Sequence, residues 1–150
     1  MRTARAQVTL ALAPGDALAL WTDVRRWSFF VEGFARLLEV SPEWPEEGSR
    51  LVWESTPAGR GRVTEKVLGS GDSSFSTRVF DKSLAGTQTL RTQPAPDGSR
   101  MELSLEYELT RGGPLSALAD LIFIRRALRD SLRRTLRRFA VEAEEEAGLR

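Results

Sequence analysis

Three side chains in this 150-residue chain combine a reactive type with an informative spacing: Glu65, Tyr107 and Arg125. Glu65 alternates with Gly61, Val63 and Val67, whereas Arg62, Thr64 and Lys66 occupy the positions between. A period of two puts its carboxyl on the apolar face of a strand. Burial there would raise its pKa and a neighbouring arginine would lower it, a balance the sequence leaves open. Tyr107 is the only tyrosine and falls among Met101, Leu103, Leu105 and Leu109, so its hydroxyl needs a partner in the core or on a ligand. Arg125 interrupts an apolar helical stripe. It either reaches to the edge or turns inward to hold a carboxylate, a phenolate or Glu65, and its fixed charge suits an anchor rather than a proton shuttle.

The chain has no cysteine and no histidine. Disulfides, thiolate nucleophiles, imidazole bases and the usual zinc sites are therefore excluded. A serine nucleophile would need a lysine base, and neither Lys66 nor Lys82 has an evident serine partner. Gly59-Arg60-Gly61-Arg62 enters a strand rather than leaving one for a helix, unlike a dinucleotide loop. No cofactor or metal is expected, and the run Glu142–Glu146 reads as a solvated helix end. Twenty-two basic and twenty-one acidic residues leave a net charge of +1, so no nucleic-acid partner is expected. Arg125, Arg126, Arg129, Arg133, Arg134, Arg137 and Arg138 nevertheless crowd one segment, read first as a solvated outer face. The N-terminus lacks the sustained apolar run of a signal peptide, and the window Leu115–Ile124 is too short and too charged to span a membrane. A cytoplasmic location is expected, with the chain a monomer or homodimer.

These residues must be positioned by a sheet and a long helix. Ala6, Val8, Leu10 and Leu12 alternate as a strand, and Asp16 is a candidate N-cap for a short helix over Ala17–Val24. A second short helix or turn is expected over Arg25–Phe34, with Trp27, Phe29, Phe30, Val31 and Phe34 as an aromatic cluster. Strands are predicted near Arg36–Ser41, Ser49–Thr56, Arg60–Leu68, Ser74–Asp81, Thr87–Gln93 and Arg100–Thr110, separated by turns rich in Gly, Pro, Asp and Ser. The inward face of the segment 74–81 stays open: either Ser76, Arg78 and Phe80 or Phe75, Thr77 and Val79. From Pro114 to Glu146, Leu118, Leu121, Arg125, Leu128, Leu132, Leu136, Phe139 and Ala143 share one helical face. At roughly 1.5–3 kcal/mol per large buried side chain, its leucine and phenylalanine anchors represent roughly 10 kcal/mol before entropy. The order predicts an α+β fold in which a curved, seven-stranded antiparallel sheet wraps a long C-terminal helix, with two short helices after the first strand. Residues 1–150 are read as one domain.

The chain resembles the helix-grip superfamily that includes START lipid-transfer domains, the birch-pollen-allergen group and the polyketide cyclase/dehydrase proteins. The residues that carry the likeness are Ala13-Pro14-Gly15-Asp16-Ala17, Trp21-Thr22-Asp23-Val24, Trp27, Glu47-Gly48-Ser49-Arg50-Leu51 and Asp97-Gly98-Ser99-Arg100-Met101, in that order along nearly the whole chain. The resemblance implies a cavity between sheet and helix for a hydrophobic ligand such as a lipid or polyketide.

Three functional expectations follow. First, a hydrophobic small molecule is bound, or bound and transported, in a cavity of roughly a few hundred Å³. Its expected lining is Leu10, Trp53, Val63, Glu65, Leu90, Leu105, Tyr107, Leu121, Arg125 and Leu128. Second, the resemblance allows an enzyme, a polyketide cyclase or dehydratase, with Glu65 as base, Tyr107 as hydrogen-bond donor and Arg125 stabilising an enolate. That mechanism requires the three side chains to converge. Third, the basic helix face binds a partner or an anionic surface.

Overall fold

The computed structural model describes residues 2–110 and 117–150, with the side chains of 117–121 outside the description. Strand β1 (Arg2–Leu10) leads into helix α1 (Pro14–Thr22), a 3₁₀ turn (Val24–Arg26) and the one-turn helix α2 (Trp27–Phe30). Six strands follow: β2 (Phe34–Val40), β3 (Arg50–Ser55), β4 (Arg62–Ser70), β5 (Ser74–Phe80), β6 (Leu84–Ala95) and β7 (Gly98–Leu109). Helix α3 (Ala117–Gly148) ends the chain. The expected start of that helix at Pro114 and its anchor Leu118 lie outside the described residues or side chains.

The strands form one antiparallel sheet in the order β1-β7-β6-β5-β4-β3-β2. Every consecutive pair from β2 to β7 is joined directly, and β1 closes against β7, so the chain has the α+β helix-grip-like architecture. Alternation decides what is inside. Met101, Leu103, Leu105 and Tyr107 of β7 are buried, as are Val63, Glu65 and Val67 of β4 and Phe75, Thr77 and Val79 of β5. The inward face of β5 is therefore the Phe75 set, and Arg78 points away from the core.

At two glycines the backbone passes its neighbour too closely for a side chain. A Cβ on Gly86 would come within 2.4 Å of the Glu106 carbonyl oxygen, so β6 can run past β7 there only without a side chain. Gly98 has φ 153° and approaches the Leu10 carbonyl so closely that a Cβ would lie 2.0 Å from it. At the other margin, β2 pairs with β3 through two register shifts, between Phe34 and Arg36 and between Leu37 and Glu39.

Helix α1 opens with Pro14, and its N-cap is Ala13 without a side-chain cap bond. The expected cap, Asp16, lies inside the first turn, where its charge faces the helix N-terminus. Trp21, Phe30 and Phe139 form a three-ring cluster with centroids 4.9–5.2 Å apart, which fastens α1 and α2 to α3. Of the expected aromatic cluster, Trp27 and Phe30 are buried, Val31 and Phe34 pack against the core, and Phe29 is exposed.

α3 runs along β1 and packs on α2. Among the described side chains, its apolar stripe is buried from Leu132 onward, through Leu136, Phe139 and Ala143. Leu128 is half-buried, and Arg125 is exposed. Of the glutamates near the end, Glu144 and Glu145 are exposed as expected, whereas Arg26 contacts Glu142 at 3.0 Å and Glu146 at 3.3 Å; Arg150 contacts Asp16 at 3.3 Å. Among the described residues, no helix is long and apolar enough to cross a membrane.

Candidate functional site: a buried carboxyl and a neighbouring guanidinium

β4 turns Glu65 inward, as its alternation requires, and the carboxyl is buried with both oxygens engaged. The Trp53 indole N–H donates to Oε2 at 2.9 Å, and the Thr77 hydroxyl donates to Oε1 at 3.1 Å. Burial drives the Glu65 pKa above its ordinary value of 4.5, and the Trp53 bond, the Arg60 charge and the Thr77 bond oppose that rise. The Trp53 ring is held between Phe34, stacked at 5.5 Å, and the Arg60 guanidinium, 5.7 Å from the ring centroid.

Arg60 stands in the turn just before β4. The Ser55 hydroxyl accepts the Gly61 N–H at 2.7 Å, and Ser55 N–H donates to the Gly61 carbonyl, so the turn is fixed to the end of β3. Arg60 Nε donates to Asp81 Oδ2 at 2.7 Å. The other Asp81 oxygen accepts the backbone N–H groups of Ser83 and Leu84, which ties this carboxylate into the β5–β6 turn. One guanidinium nitrogen, Nη2 of Arg60, is buried and has no hydrogen-bond partner among the described residues. A buried cationic donor without an acceptor is costly, and it is an available place for a ligand oxygen.

Arg60 and Glu65 line a pocket between the sheet and α3. Trp21, Trp27, Val31, Trp53, Leu103 and Leu132 supply its apolar wall; Gln88, Glu32, Ser131 and Thr135 supply further polar groups. The Thr135 hydroxyl accepts the Glu32 N–H at 3.0 Å, and Arg134 forms an ion pair with the Glu32 carboxylate, so the α2–β2 connection is fastened to α3 at the pocket wall. The volume of this pocket is about 60 Å³. That is room for about two waters at ~30 Å³ each and is below the ~300–1,000 Å³ of typical ligand sites. The expected cavity of a few hundred Å³ is thus not found at this place, because Trp21, Trp27 and Leu132 fill the space beneath the helix. Larger depressions lie elsewhere: a polar one of about 470 Å³ on the outer sheet face includes Gln7, Arg91, Arg100 and Glu102, and it does not include Glu65.

The expected lining residues separate into distinct places. Trp53 and Glu65 border the pocket. Leu10, Val63, Leu90 and Leu105 are buried in the continuous core, and Leu128 is partly buried against it. Tyr107 is fully buried, with no partner for its hydroxyl among the described residues, and it is not among the residues that border the Glu65 pocket. The side chain of Leu121 lies outside the description. Arg125 borders a different, surface groove with Thr3, Ala4, Arg5 and Arg129. The expected convergence of Glu65, Tyr107 and Arg125 is therefore absent, and the arginine near the carboxyl is Arg60. Thr77, Gln88, Thr135 and Arg60 had no sequence signal of their own beyond the alternation that could have placed Thr77 and Gln88 inward.

The chain was compared with known proteins. A family profile described as polyketide cyclase / dehydrase and lipid transport matches residues 1–144. No curated protein sequence matches significantly. Among solved structures, the di-domain ARO/CYC StfQ from the steffimycin biosynthetic pathway is similar with a TM-score of 0.75 and 20% identity, over 97% of this chain and 51% of that one. This chain thus spans about half of the di-domain protein. A Thermus thermophilus protein gives a TM-score of 0.73 at 17% identity, over 97% and 99% of the two chains. A Polyketide_cyc-like protein of Corynebacterium glutamicum gives 0.64 at 18%, over 96% and 92%. At these identities the structural likeness speaks for the fold, and the family match speaks for descent. This chain belongs to the polyketide cyclase/dehydrase and lipid transport family.

Proposed function

We propose that the chain binds a hydrophobic small molecule, such as a lipid or a polyketide, through an oxygen function held at Arg60 and Glu65. The carrying observation is Arg60 Nη2, buried without a partner among the described residues, in a side chain that lines the pocket also bordered by the Glu65 carboxyl. Arg60 would donate to a carbonyl, enolate or carboxylate oxygen. A protonated Glu65 would donate a hydrogen bond to a second ligand oxygen or to the Thr77 hydroxyl, which can rotate to accept it. The apolar skeleton would lie against Trp21, Trp27 and Leu132. Because the pocket takes only the polar end as it stands, ligand entry requires the helix segment above Leu132 to move or repack.

The test is titration of native protein with decanoate and with 2-naphthol, read by native mass spectrometry and thermal shift. A 1:1 complex is expected, and Arg60→Met should weaken it by about tenfold or more, since hydrogen bonds to charged groups contribute ~1.5–3 kcal/mol. Binding that is indifferent to both Arg60→Met and Glu65→Gln would place the ligand elsewhere.

A second reading, cyclisation or dehydration of a polyketide, is favoured by the same buried carboxyl. A buried carboxyl whose pKa is raised suits proton transfer at a carbon beside a carbonyl, and Arg60 would hold the enolate formed. The similarity in fold to the di-domain ARO/CYC StfQ points the same way. The protonation of Glu65 can be tested directly. Its pKa is raised on folding, so its contribution to stability is complete below 4.5 and is lost as pH rises through the folded value. Wild-type stability should therefore fall over that rise. Glu65→Gln, which keeps an acceptor for Trp53 and offers Thr77 a donor, should remove the fall; equal pH profiles by denaturant titration would contradict a raised pKa.

A further inference from the structure

One end of α3 carries features that the pocket does not use. Phe123 is 73% exposed and Ile122 57% exposed, side by side on the helix surface. Ile122, Arg126, Arg129 and Arg133 recur at steps of four, three and four, so they form a single ridge. Arg126 and Arg133 are exposed. Arg129 has a buried Nε without a hydrogen-bond partner among the described residues, and it borders the groove of about 410 Å³ shared with Arg125 and Arg5. Asp130 is the acidic neighbour, 3.9 Å from both Arg129 and Arg133, too far for strong pairing with either.

We propose that this surface docks on an anionic lipid bilayer, with Phe123 and Ile122 entering the interface and Arg5, Arg125, Arg126, Arg129 and Arg133 meeting lipid phosphates. Isolated exposed apolar residues are ordinary, but two adjoining ones at the head of an arginine ridge match an interfacial helix: apolar side chains for the acyl boundary, cations for the headgroups. An RNA would satisfy the guanidiniums and could stack on Phe123, yet it would leave Ile122, which has no aromatic face, against water. The bilayer satisfies both chemistries at once. This inference does not depend on what the Glu65 pocket binds.

The experiment is co-sedimentation of the full chain with vesicles of phosphatidylcholine alone and of equal parts phosphatidylcholine and phosphatidylglycerol, at low and high salt. Binding is expected only to the anionic vesicles and should weaken with salt. The double variant Arg126→Gln/Arg129→Gln should lose about 25-fold in partition, about fivefold per arginine. Phe123→Ser should lose about tenfold, with salt dependence retained, the signature of a lost apolar insertion. Of the three positions tested, Phe123 and Arg126 are exposed and Arg129 is partly buried, and unchanged thermal melts establish that folding is intact. Equal partition into neutral vesicles, no partition at low salt, or binding untouched by both variants would overturn the proposal. So would tight binding of a single-stranded RNA by a protein that ignores anionic vesicles.

Discussion

The two halves of α3 carry similar apolar content in sequence and very different burial. From Leu132 to Ala143, four stripe positions are closed off from solvent, Phe139 sits in a ring cluster with Trp21 and Phe30, and Arg26 spans Glu142 and Glu146. From Ile122 to Ser131 no residue is buried: Leu128 and Ile124 are only partly covered, and Arg125 occupies the stripe position. The first group of contacts holds the helix to the domain, with its three large side chains contributing roughly 5–9 kcal/mol before entropy. The second is held weakly, and it is the part that can yield to a ligand or adapt to a surface. Leu132, Ser131 and Thr135 border the pocket at the junction of the two.

That contrast can be broken by substitution. Phe139→Ala should cost about 3–5 kcal/mol in urea unfolding, because it opens a hole between three rings. Leu136→Ala should cost about 2–5 kcal/mol. Arg26→Met should cost about 1 kcal/mol, with a double-mutant cycle against Glu142→Gln recovering part of it, since the pair is only partly exposed. Leu128→Ala should cost clearly less than Leu136→Ala, although both remove the same atoms. Phe123→Ser should stay within about 0.5 kcal/mol of wild type. Equal losses at Leu128 and Leu136 would show that the halves are packed alike. Hydrogen exchange sharpens the same point: amides of 124–130 should exchange before those of 134–143, and a pocket ligand should slow the first set most.

Much of this was legible in the chain itself, for reasons that also explain the misses. Strict alternation in Met101–Leu109 and around Glu65 identifies strand faces, because a period of two allows only two answers. β6 runs from Leu84 to Ala95, longer than the predicted Thr87–Gln93, since Gly86 and Pro94 resemble punctuation but pair with Tyr107 and Ser99 inside the ladder. Arg125 shows a different limit. Helical period fixes the angle at which a side chain leaves the axis, but not how far along the axis the sheet still covers it. Arg60 was unreadable because its placement depends on Asp81, twenty-one residues away, and on a turn pinned by Ser55. A guanidinium held by a distant turn leaves no local pattern.

The register shifts in β2 bear on how the molecule meets copies of itself. A sheet with two ends has two backbone rims, and either could in principle recruit another strand. At one rim α3 accompanies β1. At the other, β2 is kinked twice and displays Arg36 and Glu39 to solvent, so an incoming strand would find its donors and acceptors out of step and charges in its path. Any self-association should therefore proceed through side-chain surfaces, and concentrated solutions should resist the growth of fibrous aggregates by edge addition.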